Sequence, residues 1–373
     1  MKKAVLIPDS FKGTLSSMEI CSIMEREILK HFPRCQVCAV PVADGGEGSV
    51  DAFLTALGGE KIYVQVCGPY MEQMQAFYGL IGKTAVIEMA ACAGLPLVGE
   101  KKNPSLTSTY GVGQLMLHAM DRGVERIIMG LGGSATNDGG CGAAAALGVK
   151  FKNAAGESFV PVGGTLKDIA AIDMSGLDKR VKNTEIVTMC DIDNPMYGEN
   201  GAAYIFAPQK GADMDMVISL DGGLRHLCHI IKQELGMEMS AVPGGGAAGA
   251  MGAGMAAYFG STLQMGIEAV LDTVGFDALA ADADYIFTGE GKLDSQSLRG
   301  KVVIGVARRA KKLAVPVLAI VGGAEADLEE AYAQGVQAVF TINRLPQPLS
   351  ESAANSAENL AFCMNNVLRI LKK

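Results

Sequence analysis

Short apolar runs alternate with stretches of helical spacing at both ends of this chain. Within the first 60 residues, Ala4-Val5-Leu6-Ile7 and Val37-Cys38-Ala39-Val40 have strand length, and the apolar spacing after each predicts helices over about 17–30 and 47–57. Ser16 stands where the N-cap of the first helix belongs, and Gly58-Gly59 closes the second. The last hundred residues repeat the rhythm. Strands are expected at Tyr285-Ile286-Phe287, Val315–Val321 and Ala338–Ile342, with helices over about 300–312, 325–333 and 351–371. Strand and helix in alternation predict a parallel sheet covered by helices.

The middle of the chain has another pattern. Lys61–Cys67 and Thr84–Met89 are strand-like runs separated by turn residues around Gly68-Pro69 and Gly79–Gly82, which predicts a meander. Further on, 214–235 has helical spacing. The 20 uncharged residues from Ala241 to Gly260 include Gly245 and Gly249 at Gly-x-x-x-Gly spacing, but Pro243 and the many glycines make them too weakly apolar for a membrane span. A core helix of small residues is expected there. The fold class is therefore α/β: a doubly wound, parallel-sheet domain of flavodoxin or Rossmann type, formed by residues 1–60 plus 270–373. A second α/β domain with a mixed sheet, 61–269, is inserted into it, and the active site is expected in the cleft between the two.

Composition narrows the functional classes. The 373 residues are 49% hydrophobic and 19% charged, a globular composition, and the 47 glycines are the one clear excess. Thirty-two basic against 40 acidic residues give a net charge of -8 without a basic run, which argues against nucleic acid and anionic membranes as partners. The apolar run at the N-terminus is too short for a signal peptide. Nine scattered cysteines fit a reducing cytoplasm. Cys35-Gln36-Val37-Cys38 has no second pair, and His226 and His229 have no third ligand nearby in sequence, so neither reads as a metal or redox site.

The candidate chemistry lies in the loops after the strands. Gly130-Leu131-Gly132-Gly133-Ser134-Ala135-Thr136-Asn137-Asp138-Gly139-Gly140-Cys141-Gly142 follows Arg126-Ile127-Ile128-Met129, where a strand should end and a helix begin. Glycines permit tight turns, and the unpaired N–H groups of a helix start suit a phosphate. Polar, glycine-bearing loops also follow the strands at Pro8-Asp9-Ser10-Phe11-Lys12-Gly13-Thr14, Ala43–Ser49 and Thr288–Asp294. At the carboxyl ends of the strands of an open α/β sheet, such loops converge on a binding crevice.

Familiar nucleotide signatures are mostly absent. Gly82-Lys83-Thr84 lacks the upstream glycine of a phosphate-binding P-loop, Phe77 standing in its place, and reads as a hairpin turn. Gly130-x-Gly132-x-x-Ala135 fits the relaxed dinucleotide fingerprint, yet Val149–Lys152 ends without the ribose-binding acid. Gly132-Gly133-Ser134 is no nucleophile elbow, because Thr136 replaces the final glycine. Asp191-Ile192-Asp193-Asn194-Pro195 ends an apolar run with two acids and an amide, able to hold magnesium, accept a proton or simply form an Asx turn. Glu290, Lys292, Asp294 and Gln296 alternate through a glycine loop before Arg299-Gly300-Lys301, a mixture of charge suited to a metal and phosphate site or to a solvated loop.

Taken in order, Pro8–Gly13, Val42–Gly48, Gly132–Gly140, Cys190–Pro195, Pro208-Gln209-Lys210-Gly211 and Thr288–Gln296 resemble the motifs of the glycerate kinase family of bacterial glycolate and aldarate breakdown, over essentially the whole chain. The resemblance implies an enzyme on a two-domain α/β scaffold that phosphorylates D-glycerate with ATP and Mg2+, usually to 2-phosphoglycerate; a monomer or homodimer is expected. Phosphoryl transfer asks the protein to align donor and acceptor and to neutralise the moving charge. On that expectation Gly132, Gly133, Ser134, Thr136, Asn137, Asp138, Gly244, Gly245 and Gly246 cradle phosphate, and Lys12, Lys210 and Lys292 supply cationic charge. Asp191 is the expected base, Glu290 or Asp294 holds magnesium, and Ser10, Asp44 and Glu47 face glycerate. Two other readings compete. Gly130–Ser134 echoes the loop of galactokinase and homoserine kinase, although Asn137–Gly140 interrupts it before the helix. The other is a sensor that binds glycerate, or a related acid, without turnover.

Overall fold

Alternating buried strands and amphipathic helices build two units in the computed structural model, which describes residues 1–373 apart from Lys12, Ala43, Asp44, Gln296, Ala326, Asp327, Pro346, Gln347 and Lys373. One unit comprises 1–43, 51–58 and 265–373; the other comprises 44–50 and 59–264.

The discontinuous unit has a five-stranded, wholly parallel sheet. Its spatial order is Val336–Thr341, Val317–Val321, Tyr285–Gly289, Lys3–Pro8, Gln36–Ala39, so that chain order reads 2-1-3-4-5 across it, the flavodoxin-like arrangement. Such a sheet is covered on both faces, and Val317–Val321 is buried at every position. Ala4, Leu6, Phe287, Leu318 and Ile320 share a core with Ile20, Met24 and Ile28 of helix Ser17–His31 and with Leu360 and Met364 of helix Ser356–Leu371. Ser16 caps the first helix as its position suggests: the Glu19 N–H donates to Ser16 Oγ (3.2 Å) and the Ser16 N–H to Glu19 Oε2 (2.8 Å). The expected helix over 351–371 is interrupted by a 3-10 turn at Ala353–Asn355, and that expected over 325–333 is described only at Glu329–Ala333.

The other unit has a six-stranded mixed sheet. Its order is Thr262–Gln264, Glu185–Met189, Arg126–Gly130, Thr84–Glu88, Gln73–Ile81, Glu60–Cys67; the first four run parallel and the last two complete an antiparallel meander. The meander has one strand more than expected. Gln73–Ile81 runs through Gly79 as a regular strand, so the turn is confined to Gly82-Lys83. Met74, Ala76 and Tyr78 alternate with the less buried Gln73, Gln75 and Phe77, and buried Ala76 and Tyr78 face the core. The uncharged stretch forms helix Ala247–Phe259, largely buried as expected, but three consecutive residues inside it, Ala248, Gly249 and Ala250, are left-handed (φ 56°, 67° and 65°). Gly249 explains the close approach, since a Cβ there would stand 2.1 Å from the Thr136 carbonyl oxygen. Among the described residues, no helix is long and apolar enough to cross a membrane.

Candidate active site

In the mixed-sheet unit, Glu88, Gly130 and Met189 end three neighbouring parallel strands in register. The loops that leave this edge wall a cavity of about 410 Å³, lined by Gly132, Gly133, Ser134, Asp191, Gln209 and Lys210, with Leu95, Leu131, Met189 and Phe206 as its apolar side. Gly132 must be a glycine because a Cβ would lie 2.5 Å from the Gly46 Cα, and its N–H donates to the Gly45 carbonyl (3.0 Å).

Lys210 is the unusual member. It ends the short turn Pro208–Lys210, is 2% exposed, and donates from Nζ to Ser134 Oγ (2.8 Å) and the Thr136 carbonyl (2.7 Å). Both acceptors are neutral. Burial lowers the amine from its ordinary 10.5 to about 7, against the pull of Asp138. Asp138 is itself fully committed: its carboxylate accepts from Thr109 N (2.8 Å), Thr109 Oγ1 (2.8 Å), Gly140 N (3.2 Å) and Gly142 N (3.2 Å). Burial raises its pKa, and these four bonds oppose the rise.

That network corrects one expectation. The glycine loop does not run straight into a free helix start. The next helix begins only at Cys141, is six residues long, and its first N–H groups are taken by Asp138 and by Thr109 Oγ1, which accepts from Ala143 N (2.9 Å). Asp138 thus joins two helix starts, and of the loop's polar side chains it is Ser134 that lines the cavity, beside Lys210. Thr136 Oγ1 and both amide atoms of Asn137 are buried without a hydrogen-bond partner.

Asp191 lies half-buried on the cavity wall, while Asp193 is exposed. Cys190 beside it is no nucleophile: burial pushes its thiol up to about 11, and Sγ donates to the Ile192 (3.4 Å) and Gly244 (3.6 Å) carbonyls. Gly244–Gly246 packs behind this loop, the Gly246 N–H donating to the Asn194 carbonyl (2.9 Å), and does not line the cavity. Glu47 is exposed, and Asp44 lies outside the described residues.

The parallel-sheet unit has its own strand-end cluster. Pro8 and Gly289 are paired in register on the two strands where the order reverses, and the Asp9 N–H donates to the Gly289 carbonyl (2.8 Å). The next residue, Glu290, is 6% exposed, with Oε1 buried and unpartnered. Burial pushes its carboxyl up to about 7; Asp9 and Asp294 add to the rise, and Ser297 and Lys301 oppose it. Asp294 Oδ1 accepts from the Ser297 N–H (3.3 Å), and Ser10 N donates to Asp9 Oδ1 (2.7 Å). Lys292 is exposed and paired with Glu325 (2.9 Å), a surface ion pair that raises its pKa. Lys12 and Gln296 lie outside the described residues.

Two residues at these sites carry signals that sequence reasoning passed over. Glu88, 2% exposed, ends the run Thr84-Ala85-Val86-Ile87 as a lone acid and accepts from Val50 N (2.5 Å) at the start of helix Ser49–Leu57. Thr109 stands just before helix Tyr110–Asp121, an N-cap position by pattern, and spends its hydroxyl on Asp138 instead.

Fold and site define a class: a two-unit α/β protein with a cavity at the carboxyl edge of its mixed sheet and a buried acidic cluster at that of its parallel sheet. Comparison with known proteins specifies it further, since the model of the glycerate kinase family matches residues 4–372. The chain is 46% identical to a glycerate kinase of Bacillus cereus over 99% of its length and 98% of the relative's. It is 43% identical to the glycerate 2-kinase of Escherichia coli strain K12, over 99% and 98%. A crystal structure from Salmonella typhimurium LT2, assigned as glycerate kinase 2, superposes with a TM-score of 0.88 at 42% identity, covering 100% of this chain and 98% of the other. The chain belongs to the glycerate kinase family and is a kinase.

Proposed function

We propose that the protein phosphorylates D-glycerate by direct in-line transfer of the γ-phosphoryl group of ATP, giving 2-phospho-D-glycerate. The observation that carries this reading is the buried amine of Lys210, hydrogen-bonded to neutral groups on the wall of a cavity that also presents Ser134 and Asp191, in a chain of this family. Ser134, Lys210 and the backbone at Gly133 hold the phosphates. Asp191 takes the proton of the attacking hydroxyl, which raises the electron density on oxygen as the bond to phosphorus forms.

The carboxylates also fit a magnesium site of the kind that phosphoryl transfer uses. Among the described residues, no group of three or more His, Cys, Asp or Glu could cage a metal alone. Magnesium in such sites is held by one or two carboxylates, with phosphate oxygens and water completing the shell. Glu290, whose Oε1 has no partner, and Asp294 meet that description. When bound, magnesium neutralises charge on the phosphates. A cytoplasmic location accords with the nine free cysteines.

Phosphorus NMR of a reaction with ATP, Mg2+ and D-glycerate tests the reading. The product phosphorus should appear as a doublet, from the single proton on C2. A triplet would move transfer to C3, and no new signal would remove D-glycerate as the acceptor.

A further inference from the structure

Lys210 is an amine in a place that does not support its charge. Its Nζ has three donors when protonated, and the structure gives it two acceptors, Ser134 Oγ and the Thr136 carbonyl, neither of them charged. The charged and titratable groups around it leave that deficit in place. Asp138, behind the loop, is occupied by four donors of its own. Asp191 and the protonated Cys190 thiol stand elsewhere on the cavity wall, and Lys102, whose backbone lies beside Gly211, is exposed. A cation that is nearly dry, short of one acceptor and open to a cavity of about 410 Å³ lacks only an anion.

We infer that a phosphate-bearing ligand enters this cavity together with a proton, which the Lys210 amine takes from solvent. The inference rests on the reading of the cavity as a phosphate site and adds what happens to the protein's protons there. In the empty site, burial favours the neutral amine, and its lone pair is available as pH rises above about 7. A phosphate oxygen within hydrogen-bond reach favours the ammonium again, because it supplies both the missing acceptor and the missing negative charge. One N–H bond forms on Nζ, buffer loses the proton, and no covalent bond of the ligand changes. By linkage, the affinity for phosphate must then fall with rising pH wherever the empty site is neutral and the filled one charged.

The test is calorimetric titration of the full-length protein with ADP, in EDTA to exclude metal, at pH 8.5 in buffers of different ionisation heat. At that pH the phosphates of ADP are fully ionised in solution. Proton uptake should approach one per ADP bound, and the wild-type Kd should weaken about tenfold per pH unit above about 7. Lys210→Arg, which stays charged throughout, should bind ADP with neither the uptake nor the slope. Tight binding with no uptake and a flat Kd would overturn the inference and leave the phosphate site intact. Uptake that persists in Lys210→Arg would place the proton on another group and also overturn it. Absence of ADP binding would remove the phosphate reading itself, and the inference with it.

Discussion

The two units present opposite charges in the same predicament. At the strand ends of the mixed sheet, Lys210 is drawn down from 10.5 to about 7; at those of the parallel sheet, Glu290 is pushed up from 4.5 to about 7. Loss of water is the largest cause for both, and an acid and a base reach the same value from opposite directions. Their neighbours differ in kind. Lys210 has neutral acceptors and an aspartate already spent on three backbone N–H groups and the Thr109 hydroxyl, whereas Glu290 has two further acids, Asp9 and Asp294, opposed by Lys301. One unit is therefore short of an anion and the other of a proton or a cation. Perturbed groups of this kind gather at functional sites, because structural burial normally selects paired charges.

The sharpest way to break the comparison is to ask which unit holds the base. Asp191→Asn should lower kcat about 10²- to 10⁴-fold with little change in KM for glycerate, the usual range for loss of a general base. A near-normal kcat in Asp191→Asn, with a collapse in Glu290→Gln, would move proton transfer to the parallel-sheet unit and leave Lys210 as an electrostatic group alone. Steady-state kinetics at saturating ATP and Mg2+ decides it.

Next in size is the charge on Lys210. Lys210→Met should cost about 10²–10³ in kcat/KM for ATP, comparable to removing one preorganised donor from a developing charge. Lys210→Arg should recover part of it, because the cation is restored in a different shape. Equal damage from both would mean that the amine acts mainly through packing and the Ser134 contact.

Stability against pH should separate the two groups by sign. Between about 7 and 10.5 the unfolded chain holds a proton on Lys210 that the folded one does not, so the cost of burying this side chain is largest at low pH and fades as pH rises. Between 4.5 and about 7 the folded chain keeps the Glu290 proton that the unfolded one loses, so this acid weakens the fold as pH rises through about 7. Relative to wild type, Lys210→Met should therefore be favoured at pH 6 and lose about half of that advantage by pH 9. Glu290→Gln should gain nothing at pH 5 and on the order of 2–3 kcal/mol at pH 8. Thermal melts in EDTA across this range check both; slopes of the same sign would dissolve the comparison.

Much of this architecture was legible in the chain, and where it was not the reasons are local. The helix at Ser17–His31 declares itself because Ser16 and Glu19 satisfy each other's backbone, an interaction contained within four residues. The strand Gln73–Ile81 was hidden because Gly79 and Gly82 together read as turn, although only Gly82 sits at one. The motif residues Gly132, Ser134, Asp191 and Lys210 do meet on one cavity. What sequence could not convey is that Asp138 faces inward. Its four donors come from Thr109, about 30 positions earlier, and from Gly140 and Gly142 just after it, so the residue that looks most like a ligand of phosphate belongs to the helix starts instead. Burial and long-range pairing decide such roles, and neither is written in spacing.

The smallest expected effect concerns backbone strain, which the two units also carry differently. Ala314 (φ 57°) is an exposed residue just beyond helix Val302–Lys312, a position where glycine is the usual helix terminator. Ala250 (φ 65°) is buried in the left-handed turn whose first residue, Ala248, lines the cavity. Left-handed geometry costs an alanine roughly 1–2 kcal/mol, and glycine returns about half of that gain as unfolded-chain entropy. Ala314→Gly and Ala250→Gly should each raise stability by about 0.5–1 kcal/mol in thermal melts. Turnover separates them. In Ala314→Gly it should be unchanged. In Ala250→Gly the turn is free to relax against Thr136, whose carbonyl holds Lys210, and kcat should fall even as the melting temperature rises. If Ala250→Gly keeps full turnover, the left-handed turn is a packing solution to the Gly249 contact and has no part in holding Lys210 in place.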